Sequence, residues 1–108
     1  MRMWNVSPEL MCRKHLLGEH VEMHMFFSAL NSGKKLDGYI NTGLVVVHNI
    51  KHRHDELAEE MGRRGYHHNS PMAISSRLNR AGFVDTKRSY KELQLRCLEC
   101  RKRIQKIN

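Results

Sequence analysis

Between Val47 and Gly65 the chain reads VHNIKHRHDELAEEMGRRG. Val47, Ile50, His54, Leu57 and Met61 recur at alternating three- and four-residue steps, which puts them on one face of a helix. Arg63-Arg64 set cations in the last turn, and Gly65 stands where a C′ residue ends a helix. The same period predicts a last helix from about Thr86 towards Arg103, with Tyr90, Leu93, Cys97, Cys100 and Ile104 on one stripe. Upstream, Ser7-Pro8-Glu9 offers an N-cap, a proline at the first helical position and an acid in the first turn. The first helix is therefore expected from there to about Leu30. Lys34 to Thr42 reads as a connection punctuated by Gly33, Gly38 and Gly43, and Tyr66 to Pro71 as a loop. A short helix is expected over Ala73–Arg80, stopped by Ala81-Gly82. No segment alternates as a strand does. The expected fold is all-α, a single compact domain over residues 1–108 with three main helices plus short helical segments.

A chain of 108 residues is too short for two self-sufficient cores, and 40% hydrophobic with 28% charged residues is ordinary globular usage. No window approaches the ~20 apolar residues of a membrane span, and the charged amino terminus is unlike a signal peptide. A soluble intracellular protein with no membrane partner is expected. Nineteen Lys and Arg against eleven Asp and Glu give +8, and a pI near 9.8. Such a basic domain suits a polyanion, nucleic acid being the usual one. Three cysteines are too few for a disulfide framework and fit a reducing compartment.

The first helix carries an unusual face. Cys12, His15, Glu19, Glu22 and Phe26 keep a helical period, yet the middle three are ionisable, while Leu16, Met23, Phe27 and Leu30 take a neighbouring face. A mixture of His and acids suits proton handling. Gly18 sits mid-helix at a cost of ~1 kcal/mol relative to alanine, a position that close approach of a backbone or ligand would explain. The terminus Met1-Arg2-Met3-Trp4 is apolar and aromatic and is expected to pack down. A free α-amine titrates near 7.7–8.0 when unperturbed, so part of it is neutral and nucleophilic at cellular pH. An amine can hold a sugar carbon as an imine, and a nearby carboxylate would stabilise that cation and move protons.

Met1-Arg2-Met3-Trp4, followed by Cys12-Arg13-Lys14-His15-Leu16-Leu17-Gly18-Glu19-His20-Val21-Glu22, resembles the pyrimidine-dimer DNA glycosylases of the phage endonuclease V type. Glu56-Leu57-Ala58-Glu59-Glu60-Met61 and Arg63-Arg64-Gly65-Tyr66 extend the resemblance to about residue 70. It implies a DNA repair glycosylase with coupled abasic-site lyase (β-elimination) activity on damaged pyrimidines. The family's nucleophile is the α-amine of the mature first residue; the arginine that follows it falls on Arg2, which places the nucleophile on Met1. Initiator methionine is normally removed only before a small residue, so Met1 is expected to stay. The catalytic glutamate falls on Glu22 and the active-site histidine on His15. Arg2, Arg13, Lys14 and His15 are the expected DNA contacts. Val21 and Met25 stand where the prototype has arginines beside its glutamate. The implied partner is double-stranded DNA with damaged or abasic sites, met by a monomer in the cytoplasm of a bacterial or phage-infected cell.

Cys97-Leu98-Glu99-Cys100 has zinc-ligand spacing, and Cys12-x-x-His15 would complete a Cys₃His set. Against this, Cys97 and Cys100 lie on an apolar stripe, where buried thiols are common. The expectation is no metal and no cofactor. His48/His52 and His20/His24, each four apart without carboxylate context, read as solvated histidines. The run Arg101-Lys102-Arg103 with Lys106 reads as a solvated helix end or a phosphate contact. The reading from a different class is a non-catalytic, basic helical DNA-binding protein, zinc-stapled in one version.

Overall fold

Five helices, α1 (Arg13–Asn31), α2 (Asp37–Asn41), α3 (Ile50–Arg63), α4 (Thr86–Arg96) and α5 (Leu98–Ile107), are joined by irregular segments and two 3₁₀ turns, Pro8–Leu10 and Val47–Asn49. The structure is a computed structural model that describes residues 1–67, 70–72 and 78–107, and no strand occurs among them. The fold is all-α. α1 and α3 pack against each other and bury Leu16, Met23 and Phe26 with Ile50, Leu57 and Met61. Each such side chain contributes about 1.5–3 kcal/mol by leaving water. Leu93 and Cys100 from α4 and α5 join the same core, as do Met3, Trp4, Val6 and Met11 from the amino-terminal segment.

α3 ends as its sequence requires, with Gly65 at φ +80°. The start of the first helix differs from expectation. Pro8–Leu10 closes only a 3₁₀ turn, Met11 is extended, and α1 begins at Arg13 with Cys12 as its N-cap. The reason is tertiary. Arg64 on α3 donates to the carbonyls of Pro8 (3.1 Å) and Met11 (2.7 Å), which a helix from Ser7 would have kept for its own N–H groups. Arg53, 1% exposed, donates to the Val6 carbonyl at 2.7 Å and grips Glu19 with two hydrogen bonds. Burial pushes the Glu19 carboxyl up, opposed by those bonds from Arg53. Burial likewise lowers the Arg53 guanidinium, but its bonds to Glu19 and Glu56 outweigh this and hold it above its usual value. The geometry is that of an ionised pair, and removing one partner would strand a buried charge.

Other contacts fix the terminus. Met3 donates its N–H to the Leu44 carbonyl at 2.7 Å, and Asn5 takes φ +58°, its side-chain oxygen accepting from Asn49 Nδ2 at 3.2 Å. Asparagine is among the few non-glycine residues that tolerate this left-handed turn. Residues 1–6 are thereby folded back along the α1–α3 pair, with Met3, Trp4 and Val6 buried.

Three further expectations change. The connection from Lys34 to Thr42 contains α2. The single last helix is two: Cys97 is extended at φ −129°, ψ 111°, its N–H closing α4 on Leu93 and its carbonyl opening α5 through Arg101. A Cβ built at Gly18 meets nothing within 4 Å, so no described backbone crowds that position. Most of the helix expected over Ala73–Arg80 lies outside the described residues, and residues 78–80 are not helical. Gly82 has a clear reason: at φ +89° a Cβ would stand 2.1 Å from the Val45 carbonyl oxygen. Among the described residues, no helix is long and apolar enough to cross a membrane.

Candidate active site

Glu22 lies in the third turn of α1 on its ionisable face, and the folded-back terminus brings the chain's first atoms to it. The Met1 α-amine stands 3.6 Å from Glu22 Oε1, and the Arg2 backbone N–H donates to the same oxygen at 3.0 Å. The pair is neither sealed nor free, the Met1 and Glu22 side chains being 18% and 27% exposed. It lines an open cleft of about 500 Å³ together with His15, Trp4 and, at the rim, Arg88 and Arg96. A nucleophilic amine, a carboxylate within reach and two exposed guanidiniums can attack an electrophilic carbon in an anionic ligand, stabilise the cation formed and hold neighbouring phosphates.

Arg2 anchors this arrangement. Its guanidinium donates to Glu92 Oε2 at 2.6 Å and to Ser89 Oγ at 3.3 Å, and its Cζ stacks 3.7 Å from the centre of the Trp4 ring. Hydrogen bonds from Arg2 and Arg88 hold the Glu92 carboxyl below the usual carboxylate range. The Arg2 side chain, read from sequence as a DNA contact, is thus spent on the protein, and it pins the amine against Glu22. His15 meets Trp4 edge-on at 5.6 Å between ring centres. Burial and the Lys14 ammonium lower its pKa, with Glu22 opposing, which favours the neutral imidazole.

Met1, Arg2, His15 and Glu22 therefore meet in one cleft. Arg13 and Lys14 do not line it; they are exposed at the start of α1, with the Arg13 guanidinium 5.1 Å from the Tyr66 ring centre. Ser89, Glu92, Arg88 and Arg96 were missed. On α4, Arg88, Glu92 and Arg96 read as a solvated i,i+4 charge ladder, and no local signal ties Ser89 or Glu92 to Arg2, 87 and 90 residues away. Val21 and Met25 flank Glu22 as exposed apolar side chains, 54% and 48% accessible. The histidines divide. His48 and His52 are exposed as expected, but His20 is buried and its Nε2 lies 3.2 Å from that of His54, which is also 3.1 Å from His24 Nε2. His54 sits on the apolar stripe of α3, which turns the His20/His24 edge of α1 inward.

The family model for pyrimidine dimer DNA glycosylase matches residues 1–74. The chain belongs to that family. Membership makes DNA the substrate class of this glycosylase. The match covers the terminus, α1 and α3, and stops before α4, so the residues holding Arg2 come from a part of the chain that the family description does not span. No curated protein and no solved structure matches the chain.

Proposed function

We propose that the protein is a DNA glycosylase with coupled abasic-site lyase activity on damaged pyrimidines, with the Met1 α-amine as nucleophile. The neutral amine attacks the deoxyribose C1′, and the bond from C1′ to the damaged base breaks with protonation of the departing base. The sugar ring opens to an iminium joining the Met1 nitrogen to C1′. Glu22, 3.6 Å from that nitrogen, stabilises the iminium charge and moves protons to and from the sugar. Loss of a C2′ proton then expels the 3′ phosphate, and water releases the amine. Reaching the sugar requires kinking the duplex or turning a nucleotide out, which a damaged pair resists by a few kcal/mol less. Arg88 and Arg96, 60% and 67% exposed at the cleft, are the phosphate contacts this reading favours over Arg2.

The amine–carboxylate pair is the observation that carries the proposal. Its test is a chain extended by a few residues ahead of Met1, compared with the native chain for borohydride trapping on abasic duplex DNA. Extension moves the amine away from Glu22, so trapping should be lost while DNA binding stays. Equal trapping by both proteins would exclude Met1 and require a lysine nucleophile.

A further inference from the structure

Two short motifs far apart in the chain adopt the same local structure. Cys12 and Cys97 are each extended residues that cap a following helix. The Cys12 sulfur accepts the N–H of His15 at 3.5 Å, and the Cys97 sulfur accepts the N–H of Cys100 at 3.4 Å. The third sulfur, Cys100 Sγ, accepts the N–H of Cys12 at 3.3 Å. All three sulfurs are thus met by a backbone amide, the arrangement that suits thiolates, which gain from charge-assisted donors. Folding brings the motifs face to face, with the four donor atoms within 4.8 Å of one another.

Three of the six spacings match the edges of one tetrahedron, and the rest are within 4.8 Å. With Zn–S bonds of about 2.3 Å and Zn–N of about 2.0 Å, tetrahedral edges measure about 3.8 Å between sulfurs and about 3.5 Å from sulfur to nitrogen. Cys12 Sγ lies 3.8 Å from Cys97 Sγ, and His15 Nδ1 lies 3.3 Å from Cys12 Sγ and 3.6 Å from Cys100 Sγ. A sulfur pair at 3.8 Å is far outside the ~2.05 Å of a disulfide, and all three cysteines are free. Apolar packing would not require the break at Cys97 that turns its sulfur toward Cys12.

We propose that Cys12, His15, Cys97 and Cys100 bind one structural zinc ion that fastens the α4–α5 pair to the start of α1. Three thiolates and an imidazole in tetrahedral array select zinc among the common divalent ions, and four protein ligands close the site against substrate. The sequence reading of these cysteines as core thiols rested on one apolar stripe from Tyr90 to Ile104; the break at Cys97 and the distances that join Cys12 and His15 to it are visible only in the fold. The ion has a consequence for the cleft. Bound through Nδ1, a neutral His15 keeps its proton on Nε2, which fixes one tautomer in the cleft wall. It also secures α4, whose Ser89 and Glu92 hold Arg2.

The test is the zinc content of protein purified without chelator, as wild type, Cys100→Ser and His24→Ala. The last variant controls for the His20–His24–His54 cluster, whose ring nitrogens also converge. Cys100→Ser should lose one equivalent per chain, and His24→Ala should keep that equivalent. Because Cys100 is buried and its replacement can unfold the chain, wild-type protein made in zinc-depleted, cobalt-supplemented medium supplies a second readout. It should show thiolate-to-cobalt charge-transfer absorption equivalent to one ion, bleached by added Zn²⁺. Full wild-type zinc in Cys100→Ser, or cobalt protein without the thiolate band, would overturn the proposal.

Discussion

Glu22→Gln separates the charge of the proposed active site from its shape. The glutamine carbonyl oxygen can still accept the Arg2 N–H now bonded at 3.0 Å, so the terminus should stay in place. What disappears is the negative charge 3.6 Å from the nitrogen that becomes cationic. Two unit charges at that separation attract by about 5 kcal/mol at an effective dielectric of about 20 and by about 1 kcal/mol in bulk water. The cleft is open but the pair is mostly covered, so a loss of about 2–4 kcal/mol of transition-state stabilisation is expected, a rate decrease of about 30- to 1,000-fold. Single-turnover strand cleavage on abasic duplex DNA measures it, with fluorescence anisotropy reporting affinity in parallel. Affinity should be equal or higher, since a negative charge near the DNA is gone. A cleavage rate within about threefold of wild type would refute the electrostatic role of Glu22.

Gly18→Ala should raise stability by about 0.5–1 kcal/mol, because the added methyl meets nothing and the helix gains; a lower urea midpoint would contradict the open surroundings seen there. Burial pushes the Glu60 carboxyl up, but hydrogen bonds from Arg64 and Arg63 outweigh it and hold the group below the usual carboxylate range. A depressed folded value means that the unfolded chain binds more protons, so this stabilisation is complete above the unfolded value of about 4.3 and fades as pH falls through the folded one. The stability gap between wild type and Glu60→Gln should therefore shrink on acidification from pH 7; a constant gap across urea midpoints would argue against the ion pairs. DNA affinity should fall steeply with salt, each neutralised phosphate adding about 0.9 to the log–log slope, and Arg88→Ala or Arg96→Ala should each flatten it. A slope unchanged in both variants would remove the cleft rim from the DNA surface.

Local signals were legible and long-range ones were not. The α3 period, Gly65 and the ionisable face of α1 could be read because each is fixed within a few residues. The start of α1 could not, because Arg64 at the end of α3 takes the Pro8 and Met11 carbonyls that would have extended it. Cys97 shows the same limit. Its apolar period continues into α5, so only its role as a cap reveals the break. At the site, Met1, Arg2, His15 and Glu22 were legible through the resemblance of residues 1–4 and 12–22, whereas Glu92 belongs to an Arg88–Glu92–Arg96 charge ladder that looks solvated until Arg2 is docked on it, with Ser89 beside it. The inward turn of His20 and His24 was hinted at by His54 on the α3 stripe, since a histidine there needs a polar partner on the facing helix.

The most direct test of the account is the chemical identity of the trapped species. Native protein is reduced with borohydride on an abasic duplex, digested after glutamate, and its peptides are weighed. The account predicts that the sugar remnant sits on the Met1–Glu9 peptide, at the α-nitrogen of Met1. An adduct on any lysine-bearing peptide, with Met1–Glu9 unmodified, would contradict it.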